Sequence, residues 1–231
     1  MIKIENKALS RYLMFTLDKS ENTFSEEELQ TVEELVLNPI NIIGEYKEID
    51  LDIIRYFPNL KNISFRNLDL SNQTIENLSK IEPLKNVYFE KCSFENVNSL
   101  INLNIKEIEF INCSIADYSF IYGMPELNLL SITNGNISIN GINKLKNLQY
   151  LKLSYSNVSD RSSLDLPCLK ELHIDNTNID NPGILDNLIK LEKISISEDQ
   201  YNKNKSYFSN LSKKGIAVLN ENMVEFSEEV D

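Results

Sequence analysis

Glu171, His173 and Asp175 are the residues best typed for chemistry in this chain, and they surround its only histidine as E-x-H-x-D. A carboxylate beside an imidazole can act as an acid–base pair. Two carboxylates and one imidazole are also part of a metal-ligand set. A spacing of two along an extended strand puts all three side chains on one face, about 7 Å apart at each step. That set is thin for a metal ion, and no Ser or Cys stands at a spacing that completes a nucleophilic triad. The expectation is a solvated polar face with no catalytic residue and no metal.

Cys92 and Cys113 are 21 residues apart and Cys168 follows later. If the first two sit on neighbouring strands in register, their backbones lie about 5 Å apart, within disulfide range. Side chains running parallel into a core, in a reducing compartment, would instead remain buried thiols. The sequence leaves both readings open, a structural pair of thiols and a redox clamp. The chain has no P-loop, no G-x-G-x-x-G, no C-x-x-C and no H-E-x-x-H, and it holds only six glycines. Nothing in it marks an enzyme, and no cofactor is expected.

The elements that carry these residues recur. Leu148, Leu151, Leu153, Ser156 and Val158 spell L-x-x-L-x-L-x-x-S-x-V, and the same template starts at Val32, Leu60, Leu84, Ile105, Leu127, Leu148, Leu169 and Leu191. The steps are 28, 24, 21, 22, 21, 21 and 22 residues. Alternation in L-x-L buries one face of a short strand and leaves the other open, so each repeat needs its neighbours to complete a core. A second apolar set follows each strand, as in Ile75, Leu78 and Ile81. Pro83, Pro125, Pro167 and Pro182 interrupt these segments, which predicts 3₁₀ or single-turn helices on the opposite side.

The ninth template position reads Ile40, Leu68, Cys92, Cys113, Gly135, Ser156, Thr177 and Asp199, with no Asn. Cys, Ser and Thr can supply a small inward donor. Ile40 and Leu68 cannot, so the first repeats should be irregular. Residues 1–31 read as a helical cap, with apolar spacing from Ala8 to Leu17 and a capping box at Ser25 and Glu28 opening a helix from Glu26 to Val32. Lys203 to Lys213 reads as a helix stopped by Gly215, and Ile216 to Leu219 as a last strand. The acidic tail, Glu221 to Asp231, is expected to be loose.

The stretches LKNLQYLKLSYSNVSD (145–160), ALSRYLMFTLDKSENTFSEEELQTVEELVL (8–37) and SEDQYNKNKSYFSNLSKKGIAVL (197–219) carry a resemblance. The chain resembles bacterial leucine-rich-repeat proteins of the internalin-like, SDS22-like class, with repeats of about 22 residues. The resemblance implies an α/β solenoid. This would be a horseshoe with a parallel concave sheet, a short 3₁₀ or helical convex side, a helical N-terminal cap and a helix–strand C-terminal cap. The expected organisation is one continuous domain: cap 1–31, about eight repeats over 32–201, and cap with acidic tail over 202–231.

In that register, positions three, five and seven of each repeat point out of the sheet. They place Tyr88, Glu90, Glu107, Glu109, Ile111, Leu129, Tyr150 and Lys152 side by side, with Tyr155 at the rim and His173 further along. Tyrosines and outward aliphatics among acids suit a contact surface, since Tyr combines an apolar body with a polar tip. The alternative is that they pack on one another and bind nothing.

The net charge of −12 disfavours nucleic acid and anionic membranes, which need a clustered basic surface. The expected partner is another protein with a basic surface, bound by a chain that is monomeric by itself. A second reading is a regulatory or inhibitory subunit, of the toxin-neutralising or phosphatase-binding type, that blocks an enzyme's surface. Residues 1–20 show no basic stretch followed by an apolar run, and no window reaches the roughly 18 apolar residues of a membrane span. The expected location is the cytoplasm.

Overall fold

The computed structural model describes residues 1–40, 51–160 and 162–226. They fall into two compact units, Met1–Ile115 and Ala116–Asp231.

The first unit holds four parallel strands: β1 (Glu34–Leu37), β2 (Asn62–Arg66), β3 (Asn86–Glu90) and β4 (Glu107–Ile111). Each pairs with the next, placing template positions opposite their equivalents: Glu34 faces Asn62, Asn62 faces Asn86, and Asn86 faces Glu107. The alternation works as expected. Leu35, Leu37, Ile63, Phe65, Val87, Phe89, Ile108 and Phe110 are all buried. Phe65, Phe89 and Phe110 share template position six and stack in a ladder, with ring centroids 5.5 and 5.3 Å apart.

The cap in front of β1 is helical. Helix α1 (Lys7–Thr16) starts at Asn6, whose side chain accepts from the amides of Ala8 and Leu9. Helix α2 (Glu26–Leu29) has the complete capping box of Ser25 and Glu28. It ends three residues before the expected Val32. Tyr12 on α1 donates its hydroxyl hydrogen to the carbonyl of Glu34 at 2.8 Å, tying the cap to β1.

Opposite the sheet, Leu51–Tyr56 and Val97–Asn102 are 3₁₀ turns, the latter as expected for the second apolar set of its repeat. Between them α3 (Asn72–Ser79) is a full two-turn helix, which accounts for the longer repeat there. The second repeat is otherwise regular, contrary to expectation. Leu68 is buried at the ninth position and fills with carbon what other repeats fill with a donor.

The second unit holds five parallel strands: β5 (Leu129–Thr133), β6 (Tyr150–Lys152), β7 (Glu171–His173), β8 (Lys193–Ser195) and β9 (Ala217–Leu219). The register again aligns equivalent positions, from Leu129 to Tyr150 to Glu171 to Lys193 to Ala217. Leu130, Ile132, Leu151, Leu153, Leu172, Ile174, Ile194 and Ile196 form the core beneath them. The opposite side carries α4 (Ile139–Ile142) and 3₁₀ turns at Ser119–Gly123 and Pro182–Leu185.

The last cap consists of α5 (Glu198–Lys203), α6 (Lys205–Lys213) and β9, with Gly215 in the left-handed region at φ +86° between helix and strand. The chain then turns back. Leu219 bridges Glu225 in antiparallel fashion, the Phe226 amide donates to Val218, and the Phe226 ring stacks on Tyr201 at 4.0 Å. Residues 221–226 are therefore an exposed return held by these contacts, not a loose tail. Tail residues 227–231 lie outside the described residues.

Two columns of the repeat fix the bend after each strand. At the ninth position, Cys92, Cys113 and Ser156 each reach back one repeat to the carbonyl of its sixth residue: Phe65 at 3.4 Å, Phe89 at 3.4 Å and Ile132 at 3.2 Å. At the eighth, Asn67, Lys91, Asn112, Asn134, Tyr155 and Asn176 all adopt positive φ, between 52° and 63°. Asn tolerates that conformation best among residues with a side chain, and four of the six are Asn.

Candidate interaction face

The open face of the first unit collects carboxylates around one tyrosine. A depression of about 140 Å³ is lined by Glu34, Ser64, Tyr88, Glu107 and Glu109, among others. Tyr88 stands directly across from Glu109 on the neighbouring strand. Its hydroxyl lies 3.4 Å from Glu90 Oε2, and the Arg66 guanidinium lies over its ring at 5.6 Å. Arg66 also approaches Glu90, with Nε 3.5 Å from Oε2. Burial, followed by the Glu90 charge, pushes the Tyr88 hydroxyl above its usual pKa, so the ring keeps its proton. Glu107 and Glu109 form no ion pair among the described residues. The Ser64 hydroxyl has no hydrogen-bond partner among them. Ile111 is half-buried.

The open face of the second unit differs from the solvated one expected for E-x-H-x-D. His173 is 6% exposed and Asp175 is 5% exposed. The His173 Nε2 lies 2.7 Å from Glu171 Oε1, and Glu171 Oε2 pairs with Lys193 Nζ at 3.1 Å. Burial works against ionisation at Glu171, but the hydrogen bonds with His173 and Lys193 outweigh it and hold the carboxyl below its ordinary pKa. The Tyr150 ring covers His173 at 5.1 Å. Asp175 Oδ1 accepts from Ser154 at 2.8 Å and from Ser195 at 3.4 Å.

These side chains are buried because small serines separate them and the C-terminal return reaches them. Ser195 also donates to the Asn220 carbonyl at 3.3 Å, and Glu221, Asn222 and Met223 line the same cavity as His173 and Asp175. Leu129, Tyr150 and Lys152 are half-buried, whereas Tyr155 is 54% exposed.

No family model and no curated protein matches the sequence. Solved structures do match. Internalin C2 from Listeria monocytogenes aligns over 84% of this chain and 87% of its own, at 22% identity and a TM-score of 0.62. An internalin (InlF) from the same organism aligns over 94% of this chain and 75% of its own, at 18% identity and a TM-score of 0.59. The fold is the leucine-rich repeat. The leucine-rich-repeat ectodomain of the plant membrane receptor kinase GASSHO1/SCHENGEN3 from Arabidopsis thaliana also matches. Its match covers 80% of this chain and 24% of that one, at 17% identity and a TM-score of 0.52.

Within this leucine-rich-repeat chain the sequence pattern sets which side chains leave from the open strand face, while the pairings across that face come from the structure. Arg66, at position seven, neutralises Glu90 one repeat on, and Ser154, in the same column, holds Asp175 one repeat on. Glu221 and Met223 carry no repeat signal, because they return from beyond the last strand. Among the described residues no group of three or more His, Cys, Asp or Glu side chains is arranged to hold a metal ion. No helix among them is long and apolar enough to cross a membrane. Cys92, Cys113 and Cys168 are free thiols, the first two buried.

Proposed function

We propose that this leucine-rich-repeat protein is a non-catalytic binding module that holds a partner protein with a basic surface on its open strand face. Such arrays typically serve as protein-interaction modules, because stacked strands present a rigid face whose side chains vary without disturbing the core. The observation that carries the reading is that Glu107 and Glu109, the latter in register with Tyr88, form no ion pair among the described residues. Carboxylates left without cations next to an aromatic ring favour a cationic partner and speed its encounter. The plant receptor-kinase ectodomain of the same fold was solved in complex with Casparian strip integrity factor 2, which shows the fold in a binding role in that protein. The net charge of −12 argues against nucleic acid as the partner.

The test is affinity capture from the native cell with mass spectrometry, comparing wild type with Glu107→Lys/Glu109→Lys. The variant should lose the specific partner while melting within a few degrees of wild type. A variant that retains every wild-type partner rejects the reading. A captured enzyme that loses activity on binding would place the protein among inhibitory subunits.

A further inference from the structure

The Asp175 carboxylate is only partly satisfied. It is 5% exposed, and its Oδ1 takes the hydroxyls of Ser154 and Ser195. Its Oδ2 accepts no hydrogen bond, and no cation pairs with it among the described residues. A buried carboxylate normally has a charged partner, because neutral donors alone offset little of its lost hydration.

Asp175 lines a cavity of about 490 Å³ on the open face of the second unit. Three acids (Glu171, Asp175 and Glu221) and one base (Lys152) line it. Glu171 is already neutralised by Lys193. The remaining lining carboxylates, Asp175 and Glu221 in the return, outnumber the lining base Lys152 by one.

A second feature points into the same cavity. Tyr155 lines it, is 54% exposed and has φ of 58°. Four of the six equivalent positions use Asn there. A tyrosine in that conformation costs stability and gains nothing from burial, which suggests a contact outside the chain. The Tyr155 amide donates to the Asp175 carbonyl at 3.0 Å, so ring and carboxylate spring from backbones in direct contact.

We infer that this cavity takes one arginine side chain of the partner protein, its guanidinium stacking on Tyr155 and donating to Asp175 Oδ2. Arginine fits better than lysine. Its planar fork stacks on an aromatic face and is less strongly hydrated than an ammonium, so it gives up less on entering a half-closed site. The assignment rests on the protein-binding reading and names the side chain that this part of the face selects.

The test titrates the full chain, ¹⁵N-labelled, with N-acetyl-arginine amide, N-acetyl-lysine amide and N-acetyl-citrulline amide. Citrulline keeps the shape and removes the charge. The arginine probe should give saturable shifts at the amides around Tyr155 and Asp175 and bind about tenfold tighter than citrulline. Asp175→Asn should weaken arginine about tenfold. Tyr155→Asn should weaken it too while melting at or above the wild-type temperature, which keeps the test valid if Asp175→Asn fails to fold. No saturable shift at the cavity, equal citrulline binding, or indifference to both substitutions overturns the site. Absence of probe binding in a chain that still captures its partner removes the arginine site and leaves the protein-binding reading standing. Probe binding in a chain that captures nothing does the reverse.

Discussion

The Ser156 hydroxyl accepts a hydrogen bond from the Gly135 amide at 3.0 Å, one repeat back. The same hydroxyl donates to the Ile132 carbonyl at 3.2 Å, so one side chain satisfies two backbone groups in a buried bend. Ser156→Ala strands both groups, and each buried unsatisfied group costs about 1–3 kcal/mol. The variant should lose about 2 kcal/mol in a denaturant melt. Ser156→Cys should recover part of that, since Cys92 and Cys113 make the equivalent bond to the carbonyl. A loss too small to resolve would show that water reaches the bend.

Lys91 adopts φ of 52° at a position where Asn is the usual choice. Its side chain is exposed, so no packing compensates for the left-handed backbone. Lys91→Asn should stabilise the protein by about 0.5–1 kcal/mol. Asn112→Val, which puts a β-branched residue into the same conformation one repeat on, should destabilise it by about 1–3 kcal/mol. Calorimetric melts of the two variants should move in opposite directions. Movement in the same direction would mean that the eighth position is not under backbone strain.

The repeat made the register legible. Leu151 and Leu153 had to point one way, which put Tyr150 and Lys152 on the other, as found. The burial of His173 and Asp175 was not legible. Alternation says which face a side chain leaves from, not what later arrives over that face. Here the cover includes Glu221 to Met223, about fifty residues beyond His173 and outside the repeat. The absent ninth-position Asn was visible, but the stronger signal stood one place earlier. Four of the eight eighth positions are Asn, and all four take the left-handed bend, so that column was readable in the sequence.

The thiols should react in order of exposure. Cys92 is 1% and Cys113 is 8% exposed, whereas Cys168 is half-buried. Hydrogen bonding with the Cys92 thiol, together with burial, pushes the Cys113 thiol above its usual pKa and away from the reactive thiolate. A disulfide-exchange reagent should therefore label one cysteine readily in the native protein and all three after denaturation. Mass spectrometry should place the native label on Cys168. Only one thiol titrating in denaturant would establish a Cys92–Cys113 bridge and overturn the structural role of that pair.

Glu171 makes part of the stability pH-dependent. Its folded pKa lies below the unfolded value of about 4.3, because hydrogen bonds with His173 and Lys193 outweigh the opposing effect of burial. Between the folded and unfolded values the native chain binds fewer protons than the unfolded one, so stability rises with pH through that window. The Glu171 contribution is full above about pH 5 and is lost as pH falls through the folded pKa. Glu171→Gln keeps the shape and a hydrogen-bonding oxygen but removes the charge. Its melting temperature should fall below wild type at neutral pH, and the two curves should converge in acid. Lys193→Met removes the cationic partner at 3.1 Å and should show the same convergence. A gap of constant size from pH 7 down to pH 3 would mean that the side chain stabilises by shape alone and that its ionisation contributes nothing.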